Sequence, residues 1–298
     1  MNETQNNQKV HHAEFSLDSL MPAEIANKAE SIGIKKAQMD TLTIFVLAIL
    51  AGAFVAIGSM FATTVWAGGS ALPFGVNRLL GGLVFCVGLI LVAVAGAELF
   101  TGNILIVMAC ANKKVTVKQV LRNWFIVYIG NFVGALGTVV IMLLTKQYLF
   151  GKGLIGFTAL YIATTKANYD PVQSFFLGIM CNALVCMAMW LCYSGHTVTD
   201  KILAIIFPTT AFVAAGFEHC VANMYFIPLG LWIKQFASPE FWAFDVMSGH
   251  QLDTYATLTW SNFVLNNLIP VTLGNIVGGA GFVGFVYWFA YLRGKSLR

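Results

Sequence analysis

Glu98 and Glu218 are the only acidic residues inside this chain's long apolar stretches, and each sits in a similar passage. The first reads Ala95-Gly96-Ala97-Glu98-Leu99-Phe100-Thr101-Gly102-Asn103. The second, 120 residues later, reads Ala215-Gly216-Phe217-Glu218-His219-Cys220-Val221-Ala222-Asn223. A carboxylate at membrane depth costs about 2.5–3.5 kcal/mol even on a lenient insertion scale. Two at matching positions point to interrupted helices that meet at a polar site, with each carboxylate accepting the backbone N–H groups freed by its break. Glu98 and Glu218 are therefore read as structural support for the two breaks. Thr101 adds a hydroxyl that donates or accepts, and His219 a ring that donates in either charge state. Half-helix N-termini bring partial positive charge to the same place. Phe85 and Leu89 precede the first break and Phe212 the second, so apolar side chains can form constrictions that exclude hydrated ions. Lys166, in the outer loop before the fourth apolar stretch, can draw anions to the mouth.

These groups suit passage of a solute better than catalysis. His219 has no second histidine in any apolar stretch, no nucleophile stands beside a base, and no metal-ligand spacing is present. No cofactor is expected, and the phosphate-binding loop G-x-x-x-x-G-K-[ST] of a nucleotide-driven pump is missing. The six cysteines all lie in apolar stretches, where they read as small packing residues.

The elements that must hold this site follow from hydropathy. Charged residues make up 10% of the chain and hydrophobic ones 58%, and mean hydropathy is +0.76. That composition belongs to a membrane protein. About 20 apolar residues cross a bilayer, and six stretches qualify: Thr41–Trp66, Pro73–Ala111, Asn123–Thr145, Pro171–Tyr193, Ile202–Ile233 and Thr259–Leu292. The chain thus divides into a polar segment 1–40, a transmembrane domain 41–292 and a short tail 293–298. The polar start lacks a basic region followed by an apolar core, so no cleavable signal is expected.

Five of the 17 lysines and arginines (Arg78, Lys146, Lys152, Lys166 and Lys234) fall on one side of the spans. The other twelve lie on the side of the amino terminus, which predicts that both termini are cytoplasmic. The net charge of +4 reflects this topology, and no basic patch interleaved with aromatics suggests nucleic acid.

Spans three and six echo each other through Gly130-Asn131 and Gly274-Asn275. The chain therefore reads as two three-helix units, inverted because three is odd, with the second and fifth helices interrupted. The glutamate lies 32 residues before the glycine in the first unit and 56 in the second, which places extra residues around Phe236–Tyr255. Small residues at four-residue spacing on spans three and six allow close helix contact in lipid. Ahead of the membrane domain, Pro22 suits a helix start with Ser19 as its cap, and Ile25, Ala29, Ile32 and Lys36 share one face. This amphipathic helix can act as a lid or as an anchor on the membrane lipid.

The passages Ala97–Asn103 (AELFTGN), Asn123–Leu136 (NWFIVYIGNFVGAL), Gly216–Met224 (GFEHCVANM) and Asn267–Gly279 (NLIPVTLGNIVGG) resemble the formate–nitrite transporter family. Phe236–Trp242 and Ser194-Gly195 add to the likeness, which runs from about Leu20 to Leu292. The resemblance implies an all-α, aquaporin-like membrane fold and a homopentamer in the inner membrane with one pore per subunit. It also implies passage of formate and other small monovalent anions, by a passive or proton-linked route. By motif, His219 matches the central pore histidine and Thr101 the threonine of the first broken loop. Phe85, Leu89 and Phe212 match the constrictions, Asn182 a polar partner near the histidine, Lys166 the vestibule lysine and Lys36 a basic residue of a possible gate. The form AELFTG, with Glu98 and Gly102, also looks like the nitrite branch, so nitrite is the alternative substrate.

Overall fold

A computed structural model describes residues 18–248 and 252–294. Six of its helices are long and apolar enough to cross a membrane: α2 (Thr41–Trp66), α3 (Phe74–Ala95), α5 (Val117–Leu144), α7 (Pro171–Ser194), α8 (Val198–Ala215) and α11 (Trp260–Tyr291). Three shorter helices shape the interior, α1 (Pro22–Gln38), α4 (Phe100–Ala111) and α6 (Leu154–Ala167). A fourth, α9 (Cys220–Phe236), completes the second broken span, and α10 (Pro239–Ser248) follows it. Most of the start signals are side chains. Asp40 accepts from Thr43 N–H at 3.0 Å, Asp170 from Val172 and Gln173, and Thr116 and Thr197 form capping boxes with Gln119 and Asp200.

The second and fifth spans are each in two pieces, α3 with α4 and α8 with α9. The membrane-sized helices form the outer shell, with α2 packed on α3 and α5, α3 on α8, and α7 on α8 and α11. Their outer faces expose Phe125, Ile141, Leu144 and Phe207, as apolar solvent requires. The half-helices lie inside, and α9 is buried from Cys220 to Leu231 without interruption. The helix α1 lies against α4, where Gly33 meets Ile106 and Ala109. Its middle is tied by Lys28 Nζ to the Tyr193 carbonyl at 2.7 Å and by Asn112 to Glu30.

Three expectations are corrected. Ser19 does not cap α1; the Glu24 carboxylate reaches back to the Met21 N–H at 2.8 Å. The segment before the fourth span is not a loop, because Lys166 sits in the last turn of α6. The extra residues of the second half are shared between the longer half-helix α9 and the helix α10. Residues 249–251 of that region, and 295–298 of the tail, lie outside the described residues.

Close approach sets the glycine pattern. Gly134 of α5 lies against the Ile49 carbonyl of α2, and Gly278 of α11 against the Ile179 carbonyl of α7. A methyl at either would meet backbone, which cannot swing aside. Gly134→Ala and Gly278→Ala are each expected to cost about 1–3 kcal/mol of stability. Denaturant titration of the detergent-solubilised protein measures this, and the freely exposed Gly137→Ala, with nothing within 4 Å of its added carbon, serves as control.

Candidate functional site

Both breaks are built the same way. The helices α3 and α8 end on Gly96 and Gly216, whose φ of +79° and +80° lies in the left-handed region that glycine tolerates. The next amides turn back, Ala97 N–H to Val92 O and Phe217 N–H to Phe212 O, both at 3.0 Å. The glutamate N–H groups then bond to neighbouring spans, Glu98 to Leu47 O at 3.2 Å and Glu218 to Leu177 O at 3.3 Å. A buried asparagine clamps each segment. Asn131 Oδ1 accepts from Phe100 N–H at 2.9 Å, and its Nδ2 donates to the Ala48 and Glu98 carbonyls. Asn275 does the same with Cys220 N–H at 3.0 Å and the Gly178 and Glu218 carbonyls. In both halves one side chain serves an amide and the glutamate carbonyl of the break and ties them to a carbonyl of the neighbouring span.

Among the described residues the carboxylates accept from no backbone N–H group, contrary to the sequence expectation. Glu98 pairs with Lys36 Nζ at 2.7 Å and accepts from Asn103 Nδ2 at 2.6 Å. Glu218 pairs with Lys166 Nζ and accepts from Asn223 at 2.7 Å and Asn267 at 3.0 Å. Asn123 and Asn267 each donate back to the carbonyl of the paired lysine, Lys36 and Lys166, at 3.0 Å. So α1 and α6 occupy equivalent roles, and the repeated unit is one short helix plus three spans. One difference stands out between the halves. Lys36 also donates to Asn103 Oδ1 at 2.8 Å, whereas the buried Asn223 Oδ1 has no partner among the described residues.

The two half-helices bring Thr101 and His219 together, with Oγ1 and Nε2 2.9 Å apart and both residues buried. His219 is also the N-cap of α9, where Nδ1 accepts from Ala222 N–H at 3.1 Å. A backbone amide only donates, so Nδ1 carries no proton in this arrangement. The neutral ring's hydrogen then sits on Nε2 and is donated to Thr101, which leaves the threonine's own hydrogen to offer. Phe212 stacks on the imidazole at 6.0 Å, and Phe85 meets Phe212 edge-on at 5.8 Å. Leu89 is buried. Asn182 makes no hydrogen bond to the imidazole: Nδ2 donates to Asn275 O at 2.7 Å and Thr101 O at 3.4 Å.

A cavity of about 870 Å³ reaches His219 from one face. It runs from Phe74 and Arg78 past Lys166 to Phe85, Phe212 and His219. Sequence reasoning missed Arg78, whose Nε and Nη2 donate to the Ala214 and Val213 carbonyls at 3.1 and 2.6 Å. It also missed the asparagines that bind the carboxylates. Their signal was spacing: Asn103 and Asn223 each follow their glutamate by five residues, and Asn123 and Asn267 each precede the clamp asparagine by eight.

Six spans, two of them discontinuous and meeting at a buried hydroxyl–imidazole pair beneath an open cavity, define a multi-pass membrane transport protein. The family model described as formate/nitrite transporter matches residues 23–289. The chain belongs to that family, which is one of transporters and not of enzymes. It is 44% identical over 281 residues to "Formate channel FocA" of Escherichia coli (strain K12), covering 94% of this chain and 98% of that one. The corresponding protein of Haemophilus influenzae is 43% identical, with 89% and 93% covered. A solved structure titled "Pentameric formate channel with formate bound" is 47% identical at a TM-score of 0.80, covering 85% of this chain and 98% of that one.

Proposed function

We propose that this chain carries formate across the inner membrane as a homopentamer with one pore per subunit and both termini cytoplasmic. The observation that carries the reading is the cavity that ends on His219, whose Nε2 lies 2.9 Å from the Thr101 hydroxyl. The relatives named above, with formate in their titles, supply the substrate and the assembly. Formate needs a donor at mid-membrane because a bare carboxylate among apolar rings is costly. The Thr101 hydroxyl provides one, and Nε2–H of His219 the second when the pair opens. In the proton-linked route, the neutral acid passes Phe85 and Phe212 at lower cost, and its O–H meets a waiting acceptor in the Thr101 oxygen. Asn182 fixes the Thr101 carbonyl and so the position of its hydroxyl. Lys36 acts as a gate only by releasing Glu98, since that ion pair holds α1 to the first break.

The test is flux into vesicles holding the purified chain, with formate and nitrite in competition and current and proton uptake recorded together over a range of pH. Formate is expected to be the preferred anion. Preference for nitrite would overturn the substrate, and absence of any anion flux would overturn the transport reading. Current without protons marks an anion channel; electroneutral flux with protons marks acid transport.

A further inference from the structure

We propose that Arg78 is the anion-capturing residue of the mouth on the Lys166 side, a specificity-determining group that binds small monovalent oxyanions ahead of the Phe85–Phe212 constriction. As a claim about formate entry it rests on the transport reading above; as an anion site it stands on geometry.

The charge count in the cavity decides which cation matters. Lys166, Glu218 and Arg78 are the lysine, carboxylate and arginine side chains that line it. Lys166 and Glu218 are in direct ion contact, so their charges cancel for an ion arriving from outside. Arg78 forms no ion pair among the described residues, so it carries the uncompensated positive charge. The lysine that the sequence suggested as attractant is thus neutralised, and the attraction passes to the arginine.

Its geometry is suited to that role. A guanidinium has five N–H donors. Two of Arg78's are held by the Ala214 and Val213 carbonyls, which fixes its plane. The others have no acceptor among the described residues; Arg78 lines the cavity, with its guanidinium 4.9 Å from the Trp66 ring. Such a planar fork matches the two oxygens of a carboxylate or nitrite. The carbonyls it holds lie in the last turn of α8 and carry the negative end of that helix, and Val213 O accepts from Gly216 N–H as well. Arg78 therefore also removes a repulsive end from the path of the anion. It lies seven residues from Phe85 on α3, about 10 Å along the axis, where a captured ion waits one step from the constriction. The position 120 residues on in the second half is Val198, so the repeat supplies no second arginine.

The test compares wild type with Arg78→Met and Arg78→Lys, each confirmed as a folded oligomer by size-exclusion chromatography. Formate flux is measured against concentration and ionic strength. Arg78→Met is expected to raise the half-saturating formate concentration on the order of 10-fold, the low end of what a charged cleft supplies. Maximal flux should stay within about twofold, and the salt sensitivity should weaken. Arg78→Lys should recover part of the loss, since the charge returns without the fork.

An independent readout needs no flux: quenching of Trp66 by iodide against neutral acrylamide, with Trp66→Phe subtracted. The iodide-to-acrylamide ratio should fall severalfold in Arg78→Met and be protected by formate in wild type. Unchanged half-saturation with an unchanged quenching ratio would overturn the proposal. So would a collapse of maximal flux at an unchanged ratio, which would make Arg78 a helix cap and nothing more. Should wild type pass no formate while the quenching ratio behaves as expected, the transport reading falls and the anion site remains.

Discussion

Replacing His219 with leucine is expected to lower formate flux about 10- to 150-fold, the equivalent of about 1.5–3 kcal/mol for a hydrogen bond to a charged partner. The ring's Nε2–H is aligned on Thr101 and set between Phe212 and the half-helix α9. Leucine removes the donor at the point where water is excluded. It also removes the cap of α9, worth about 1 kcal/mol, because Nδ1 no longer accepts from Ala222. Loss of flux alone would therefore confuse chemistry with folding. His219→Asn separates the two, since asparagine is among the best N-cap residues but is too short to reach Thr101. That variant should melt close to wild type and still lose most of its flux. Wild-type flux in His219→Asn would show that the imidazole is not the midpoint element. Thr101→Val should give a loss of the same order, because it removes the hydroxyl that the ring orients.

The cap contact also bears on proton linkage. An imidazolium needs hydrogens on both nitrogens, and two N–H groups cannot face each other across the 3.1 Å between Nδ1 and Ala222 N. Charging His219 thus requires the ring to turn or α9 to lose its first capping bond. If protons travel through His219, each transfer would have to be coupled to such a movement of the ring or the half-helix.

Much of this was legible because burying charge is so unfavourable. Glu98 and Glu218 in apolar stretches announced both breaks, and the Gly-Asn pairs announced the internal repeat. Their partners were not legible, because they come from distant elements. Lys36 lies 62 residues before Glu98 and Lys166 52 before Glu218. Nothing local distinguishes them from other lysines. The helix α6 was missed because its 14 residues are apolar yet too few to span a bilayer. Read as a loop, it hid the fact that α1 belongs to the repeat. Asn131 and Asn275 were noticed only beside their glycines, as part of a packing face, when each carries the hydrogen bonds that close a break. The wide π-helical turns of α11 over Phe263–Leu268 and Val277–Phe285 were also invisible to periodicity. The first of them holds Asn267 and is followed by Pro270, which has no N–H for the helix ladder.

The second large effect concerns the buried pair at the open mouth. Lys166→Met leaves Glu218, whose side chain is 1% exposed, with two amide donors and no cation. Breaking a buried pair by removing one partner costs about 3–5 kcal/mol. Here the lower end applies, because the Lys166 side chain is 17% exposed and water can enter the space it leaves. Glu218→Gln should cost less, since the freed ammonium sits nearer solvent. The double variant Lys166→Met with Glu218→Gln should recover most of the loss, giving a coupling of about 2 kcal/mol or more, where independent sites add within about 0.5 kcal/mol. Flux should follow the charge of the mouth. With Arg78 at +1, the wild-type pair adds zero, Lys166→Met brings the mouth to zero and Glu218→Gln to +2. Half-saturating formate should accordingly rise in the first variant, fall in the second and return towards wild type in the double. Denaturant titration and vesicle flux on the same four proteins measure both. Additive stabilities would show that the ion pair does not hold the second break, and a flux order that ignores the charge would remove electrostatic entry from the mechanism.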